Sequence, residues 1–381
     1  MKKSLLALAL LGAFTASAFA EPSVTLYGRI DTGLVYTHKN LDNTAGSTDT
    51  FSMDSGVTTG SRWGLKGSED IGNAKVGFVL ESGFNSDDGT SGQNNRLFGR
   101  EAQVNISGAY GTLYAGRLGS IASDNGTLGY LGDVSAFPSA YGFVGNQQGS
   151  TGTAYGRYDN TLAYETPTFG GLQGAIMYSF KGDAKVSDSN PKEVANAREN
   201  SGDADRYLAA GLRYKAGKAA VVLTGDMTMY SNDVNNVYHD VDNGYSFILG
   251  GNYDFGVAKV FAKATYFDNQ VNVIDSFSLI KDARALSTPQ ALALKGWGAE
   301  ISTAVPAFGG AFLGTVGYRD AKDVDNGSYK FKRWNAAVGY SYAFSKRTSV
   351  YAAAGYAQEK SDAQDRKASA AQAGFGLVHK F

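Results

Sequence analysis

Hydrophobic and polar residues alternate with a period of two along much of the chain. In WNAAVGYSYAF, residues 334–344, large apolar and aromatic residues alternate with small or polar ones. This alternation is typical of a β-strand, because successive side chains point to opposite sides of a sheet. The pattern recurs in GYSFILGGNYDF at 244–255 and in RYLAAGLRYK at 206–215. Each strand therefore has one bulky apolar face and one small, partly polar face.

The alternation predicts sixteen strands, with the terminal GFGLVHKF able to close the sheet against the first strand. An even number of strands is what a bacterial outer-membrane β-barrel requires. The predicted strands lie at 24–37, 59–70, 73–84, 98–108, 111–118, 157–166, 171–181, 204–216, 218–230, 243–254, 257–268, 293–305, 310–322, 330–344, 347–360 and 370–381.

Short and long connections follow one another in strict alternation. The short ones, such as AYGT at 109–112 and KAGK at 215–218, mostly carry Gly or Asn, which favour tight hairpins. The long ones are rich in Asp, Asn, Ser and Gly; the first covers 38–58, and the third, 119–156, is the longest. Short turns at one end and long loops at the other are the layout of an outer-membrane barrel.

The two faces then have different surroundings. We expect the bulky face to meet lipid and the small polar face to line a water-filled lumen. Aromatic residues at the short turns are expected to form a girdle at the membrane interface. A soluble β-sandwich, with the aromatic faces as its core, is the alternative fold. The girdle residues are Tyr253, Phe255, Phe308, Tyr342 and Phe344.

The first twenty residues have the order of a secretory signal peptide. Lys2 and Lys3 precede an apolar stretch that ends in Ala18-Phe19-Ala20, a typical cleavage motif. We expect residues 1–20 to be removed and residues 21–381 to form one barrel domain. The rest of the chain has no apolar run long enough for a transmembrane helix, so only a closed barrel could span a membrane.

Composition excludes several functions. The chain has no cysteine, which rules out disulfides, zinc–thiolate sites and a cysteine nucleophile. A formal charge of −1 gives no indication of a nucleic-acid partner. Its three histidines fall in different predicted loops or in the last strand, and no phosphate-binding loop motif is present. We therefore expect no enzymatic activity, no cofactor and no metal.

Several motifs together resemble one family. The chain is similar to the trimeric general-diffusion porins of Gram-negative outer membranes, in the branch typical of β-proteobacteria. The motifs are SVTLYGRIDTG at 23–33, SRWGLKGSEDIGNAKVGFVLESGF at 61–84, LFGREAQVNISGAYGTLYAGR at 97–117, RYDNTLAYETPTFGGLQG at 157–174, YAFSKRTSVYAAAGY at 342–356 and the terminal GLVHKF.

The resemblance implies an assembly and a set of partners. It implies a homotrimer of sixteen-stranded barrels in which the third long loop, 119–156, folds into the pore. The implied partners are outer-membrane lipids and lipopolysaccharide, the barrel-assembly machinery, and small hydrophilic solutes and ions. The implied function is passive diffusion across the outer membrane. A substrate-selective anion channel and a plugged barrel that displays its loops for adhesion are the alternatives.

Charged residues near the expected constriction would decide which ions pass. Alternation places Arg62 and Lys66 in the lumen, and Arg157 begins the strand after the third loop. For the pair Arg100 and Glu101, alternation favours Glu101 inside, whereas the resemblance implies a lumenal Arg100. The trimer interface would then account for the polar face that carries Glu101.

Further charged residues complete the expected constriction. The resemblance implies Glu81 as a pore carboxylate, and Asp124 and Asp133 on the third loop are expected to oppose the arginines. Arg117 is a weaker lumenal candidate, as is Arg29. Three guanidinium groups in a narrow ring would raise the local anion concentration, so we expect a preference for anions.

Overall fold

The structure is a computed structural model that describes residues 23–42, 46–137, 147–151, 156–183, 197–233, 240–271, 293–362 and 365–381. The expected signal peptide, 1–20, lies outside these residues, as do parts of the long loops.

The described residues form one antiparallel sheet of seventeen strands, and from β3 onward each strand pairs with the next along the chain. The strands are β1 Ser23–Asn40, β2 Ser47–Ser55, β3 Arg62–Asp70, β4 Lys75–Gly83, β5 Glu101–Gly108, β6 Gly111–Gly119, β7 Arg157–Glu165, β8 Leu172–Ser179, β9 Arg206–Ala216, β10 Ala219–Met229, β11 Gly244–Asp254, β12 Lys259–Gln270, β13 Leu294–Ala307, β14 Gly310–Asp323, β15 Lys330–Ala343, β16 Thr348–Ser361 and β17 Arg366–Lys380.

The seventeen strands occupy sixteen positions around a closed barrel. β2 and β3 both pair with the same edge of β1, β2 along its second half and β3 along its first. They form one position that is interrupted at residues 56–61. All sixteen predicted strands are confirmed, but the prediction of 38–58 as a loop was wrong, because Ser47–Ser55 extends the barrel wall. In the sequence, this strand is indicated only by a short alternation of Phe51 and Met53 with polar residues.

The last strand closes the sheet against the first, as predicted. β17 pairs with β1 from Arg29 opposite Lys380 to Asn40 opposite Ser369. The backbone groups of Gly28 and Phe381 exchange two hydrogen bonds of 3.1 Å at the end of this seam. Closure joins the two ends of the sheet, so the strands of the wall have partners on both sides, apart from β2, which pairs only with β1.

The two faces of the strands differ as the alternation predicted. On β15, Val338 is 64% exposed on the outer face, whereas Asn335 on the inner face is fully buried. The aromatic residues at the short turns point outward, and Phe308 is 86% exposed. Four of them pack in two pairs, with ring centroids 4.7 Å apart for Tyr253 and Phe255 and 5.2 Å apart for Tyr342 and Phe344. The outer surface is therefore a continuous apolar band, as a lipid-facing barrel requires.

Among the described residues, helical structure is limited to single turns. Residues Gly92–Asn95 form a turn in which Gln93, Asn94 and Asn95 adopt the left-handed conformation, and two 3₁₀ turns span Leu131–Asp133 and Gln147–Ser150. Across the described residues, no helix is long and apolar enough to cross a membrane.

The third long loop folds into the barrel, as expected. Ile121, Leu128 and Leu131 of this loop are fully buried and pack against the inward side chains of Val222 on β10 and Ile248 on β11. Burying about five such apolar side chains contributes on the order of 1.5–3 kcal/mol each, which holds the loop against the wall. The loop therefore occupies part of the lumen.

Candidate functional site

Two arginines converge on one carboxylate inside the barrel. Nε of Arg100 lies 2.7 Å from Oε1 of Glu81, and Nη1 of Arg62 lies 3.7 Å from the same oxygen. The other carboxylate oxygen of Glu81 accepts a 3.1 Å hydrogen bond from the Tyr27 hydroxyl. Gly60 allows this arrangement, because a Cβ there would lie only 3.1 Å from Nη1 of Arg100. Glu81 therefore orients a pair of guanidinium groups at one wall of the lumen.

Arg29 belongs to the same group. It lies directly opposite Arg62 in the register between β1 and β3. Nη1 of Arg29 and Nη2 of Arg62 both donate to the Thr59 hydroxyl, each at 3.1 Å. The sequence identified Arg29 only as a weaker candidate for the lumen. Its place beside Arg62 depends on the register between β1 and β3, which alternation within a single strand does not give.

Arg157 joins the group from the end of the third loop. It lies close enough to Arg62 and Arg100 for their positive charges to act on it. Its Nη2 donates a 2.9 Å hydrogen bond to the amide oxygen of Asn125 on the third loop. Its Nε is buried and has no acceptor among the described residues. We call Arg29, Arg62, Arg100, Arg157 and Glu81 the arginine cluster.

Arg100 and Glu101 both lie inside the barrel. Glu101 is the first residue of β5, and its inward face continues with Gln103, while Val104 on the other face is half exposed. Arg100 precedes the strand, so the alternation of β5 does not constrain it. The expectation that the polar face of β5 lies at a trimer interface was therefore wrong. Glu101 reaches the hydroxyl of Thr127 on the third loop instead.

Two other basic residues flank the cluster. Lys66 shares the inner face with Arg62, but it is exposed and its Nζ lies 5.2 Å from the ring centroid of Tyr27. Arg117 lies opposite Ala102 in the register, on the face of β6 that carries the half-exposed Leu113, so its strand does not direct it into the lumen as expected. Its Nη1 is 2.6 Å from Oδ1 of Asp159 and 3.4 Å from the backbone oxygen of Arg157, and its positive charge acts on Arg157.

The two acids of the third loop have different surroundings. Oδ2 of Asp133 lies 2.7 Å from Nζ of Lys215 on β9, so the expectation that Asp133 opposes the arginines was wrong; the apolar residues before it pack against β10 and β11 and carry it away from them. Asp124 acts electrostatically on Lys263 of β12 and directly precedes Asn125, and the expectation that it opposes the arginines stays a prediction. Asn125, which sequence reasoning missed, is the loop residue that contacts the cluster.

A buried carboxylate holds the turn next to the cluster. Oδ2 of Asp31 accepts hydrogen bonds from the backbone and hydroxyl of Thr58, at 2.8 and 2.7 Å, and from the backbone of Thr59, at 2.8 Å. Oδ1 accepts a 2.7 Å hydrogen bond from the Tyr351 hydroxyl. Asp31 is fully buried and makes charge-assisted bonds to residues 58 and 59. It therefore fixes the position of the Thr59 hydroxyl between Arg29 and Arg62.

The end of the third loop is anchored on the opposite wall. Glu300 of β13 accepts hydrogen bonds from the hydroxyls of Ser135 and Ser150, the latter at 3.2 Å, and lies 3.4 Å from Nζ of Lys263. Gly298 provides the space, because a Cβ there would collide with the carbonyl oxygen of Ser150. The loop thus crosses the lumen from the arginine cluster to β13.

Comparisons with known proteins agree with this architecture. A family model described as Gram-negative porin matches residues 7–363. An outer membrane porin protein of Bordetella pertussis is 35% identical over 413 residues, which covers all of both chains. Outer membrane porin protein 32 of Delftia acidovorans is 33% identical over 262 residues, or 68% of each chain. A solved anion-selective porin from Comamonas acidovorans superposes with a TM-score of 0.68 at 24% identity, covering 95% of this chain and all of that one.

Proposed function

Because this chain belongs to the family of Gram-negative porins, we propose that its arginine cluster makes it an anion-preferring pore. The chain itself is a passive channel for small hydrophilic solutes across the outer membrane. Its relatives in Bordetella and Delftia belong to the β-proteobacterial branch of the family. What remains to be assigned is which residues narrow the channel and which ions they favour.

The observation that carries the proposal is the excess of positive charge at one level of the lumen. Four guanidinium groups, those of Arg29, Arg62, Arg100 and Arg157, surround Glu81. The carboxylate of Glu101 lies nearby, so positive charges still outnumber negative ones. Walls of low dielectric focus such a field into the water-filled space and raise the local anion concentration.

The third loop supplies the other side of the constriction. Asn125 contacts Arg157, so the loop begins at the cluster and then crosses the lumen toward Glu300. Solutes would therefore pass beside guanidinium groups on one side and the loop on the other. Lys66 would line the wall below the cluster, nearer the short turns, Arg117 would add positive charge beside Arg157, and Asp124 would face the cluster from the loop next to Asn125. Asp133, which pairs with Lys215, would take no part in the constriction.

Two similar proteins support the proposed preference for anions and the proposed trimer. The similar structure from Comamonas acidovorans is an anion-selective porin, and a solved outer membrane protein of Vibrio cholerae with 14% identity has a trimer form. For this chain we propose a homotrimer in contact with outer-membrane lipids and lipopolysaccharide. Its export by a signal peptide at 1–20 and insertion by the barrel-assembly machinery are part of the same proposal.

Conductance of the refolded protein in a planar bilayer tests the proposal. In a salt gradient of KCl, we expect current steps in groups of three and a zero-current potential that shows preference for chloride. Preference for potassium would contradict the assignment to the arginine cluster. Conductance that saturates at low phosphate or sulfate concentration would favour a substrate-selective channel, and a folded but silent barrel would favour loop display.

A further inference from the structure

Six lysines lie together on the outer surface of the barrel, at the end that carries the long loops. They form two short rows, and within each row every lysine lies directly opposite the next one on the neighbouring strand. One row is Lys295 on β13, Lys322 on β14 and Lys330 on β15; the other is Lys332 on β15, Lys360 on β16 and Lys367 on β17. We call these six residues the lysine patch.

The pleat of the strands directs the patch outward. On β15, Lys330 and Lys332 share a face with the lipid-facing Val338, whereas Phe331 and Arg333 on the other face are buried. Residues directly opposite each other in an antiparallel pair point to the same side of the sheet. The register therefore carries the outward direction from β15 to the lysines of the neighbouring strands.

Most of the patch has no paired carboxylate. Nζ of Lys332 lies 3.7 Å from Oδ2 of Asp320, and Nζ of Lys360 lies 2.7 Å from Oδ1 of Asp362. Asp365 also acts electrostatically on Lys360. Among the described residues, the other four lysines have no carboxylate within ion-pairing distance. Like charges directly opposite each other on neighbouring strands repel, so an anionic partner would stabilise the patch.

Aromatic residues separate the patch from the apolar band of the wall. Trp334 is two residues from Lys332 along β15, which is about 7 Å. Its ring packs on that of Tyr356, with centroids 5.1 Å apart, and Trp297 on β13 packs in the same way on Tyr318. Trp and Tyr mark the boundary between the hydrocarbon and the headgroups of a membrane. The patch therefore lies at the level of the headgroups of the outer leaflet.

A groove runs along the outer wall from this aromatic boundary. It has a volume of about 830 Å³ and extends from Tyr356 to Val260, which lies near a short turn. Small residues on three neighbouring strands, Gly314, Ala336 and Ala354, form part of its floor. An apolar groove that leads up to a group of positive charges matches the two parts of an anionic lipid, a hydrocarbon chain and a charged headgroup.

We propose that the lysine patch binds the phosphate groups of lipopolysaccharide, the glycolipid of the outer leaflet, with an acyl chain in the groove below. The proposal rests on the contact with lipopolysaccharide proposed above and gives that contact a location. Lysine suits this role, because its flexible stem lies along apolar surface while its ammonium group reaches the charged headgroups. A second copy of the chain fits this face less well, since protein interfaces are depleted in lysine and like-charged patches repel.

Native mass spectrometry of the refolded protein in detergent, titrated with diphosphoryl lipid A, tests the site. The informative variant combines Lys322→Gln, Lys330→Gln and Lys367→Gln, which removes three exposed lysines and leaves both ion pairs of the patch intact. It should bind lipid A at least about tenfold more weakly than wild type, because each lysine near an anionic lipid surface contributes to binding. Equal affinity of this variant and wild type would overturn the proposal.

The matched control combines Lys75→Gln, Lys218→Gln and Lys346→Gln. These lysines are exposed near the short turns, so the control loses three positive charges from the other end of the barrel. It should bind lipid A like wild type, and an equal loss of binding in both variants would contradict the proposal. The same spectra give the mass of the oligomer. A patch variant that loses its oligomer but keeps lipid A would show that the patch contacts a second copy, which would also overturn the proposal.

The wild-type protein alone tests the chemistry of the headgroup. Monophosphoryl lipid A and phosphatidylglycerol should both bind more weakly than diphosphoryl lipid A. Equal affinity for the two forms of lipid A would show that the phosphate groups are not recognised, and equal affinity for phosphatidylglycerol would contradict the assignment to lipopolysaccharide. These readouts involve no ion conduction, so failure of this proposal is distinguishable from failure of the proposed anion preference.

Discussion

Arg29 and Arg62 lie directly opposite each other on β1 and β3 and share the Thr59 hydroxyl as their acceptor. A cross-strand pair of like charges is unfavourable, so its geometry must be imposed by the surrounding structure. Asp31 does this, because its hydrogen bonds hold residues 58 and 59 in place. The positive charge of the cluster is therefore built into the barrel wall at the point where the second barrel position is interrupted.

Removal of the Glu81 charge should strengthen the preference for anions. In Glu81→Gln the amide oxygen can still accept from Arg100, while the cluster gains one unit of net positive charge. The interaction energy between one unit charge and an ion about 7 Å away in water is about 0.6 kcal/mol. This energy corresponds to about a threefold change in the local ion concentration. The zero-current potential in a KCl gradient should shift further toward chloride.

Glu69→Gln is the matched control for this charge change. Glu69 is exposed and lies on β3 on the face opposite Arg62. Its replacement removes the same charge from the same strand but not from the lumen. Equal shifts in the two variants would show that overall charge, rather than the cluster, sets the preference.

Replacement of Asp31 should destabilise the barrel. Asp31→Ala leaves the backbone donors of Thr58 and Thr59 without their acceptor, at a cost of about 1–3 kcal/mol for each donor that stays buried. We expect a lower unfolding midpoint by circular dichroism and a weaker preference for chloride, since Thr59 would no longer hold the two arginines. Asp49→Ala should change the midpoint little, because the Asp49 side chain is 61% exposed. Unchanged stability of Asp31→Ala would argue against this role.

A methyl group at position 298 should displace the third loop. In Gly298→Ala the new Cβ collides with the carbonyl oxygen of Ser150, so the last turn of the loop must move away from β13. We expect an altered single-channel conductance and more current noise than in wild type. Gly314→Ala on the neighbouring strand is the control, because its nearest neighbour, Cγ2 of Thr303, lies at an ordinary contact distance of 3.7 Å. If the two variants conduct alike, the loop does not depend on this contact.

The wall of the barrel could be predicted almost completely from the sequence. Alternation with a period of two depends only on the pleat of each strand and on the two solvents it meets, so it is visible in stretches such as 334–344. The strand Ser47–Ser55 escaped prediction because it is short, rich in Ser, Thr and Asp, and pairs only with β1. Its composition is that of a loop, and the alternation of Phe51 and Met53 with polar residues is too short to predict a strand without the register with β1.

The site could be predicted only in part. Arg62, Arg100, Arg157 and Glu81 were expected together, and the structure brings them together. The path of the third loop was not predictable, because it depends on how its apolar residues pack against distant strands. For that reason Asp133 was expected near the arginines but pairs with Lys215, and the contact of Asn125 with Arg157 was missed.

The central claim is that the arginine cluster sets the ion preference, and one comparison of zero-current potentials tests it most directly. A variant with Arg62, Arg100 and Arg157 all replaced by Gln is measured beside one in which Lys75, Lys218 and Lys346, exposed near the short turns, are replaced by Gln. Both lose three positive charges. We predict that the first loses or reverses the preference for chloride while the second keeps that of wild type. A preference for chloride that persists in the first variant, or is lost equally in both, would contradict the account.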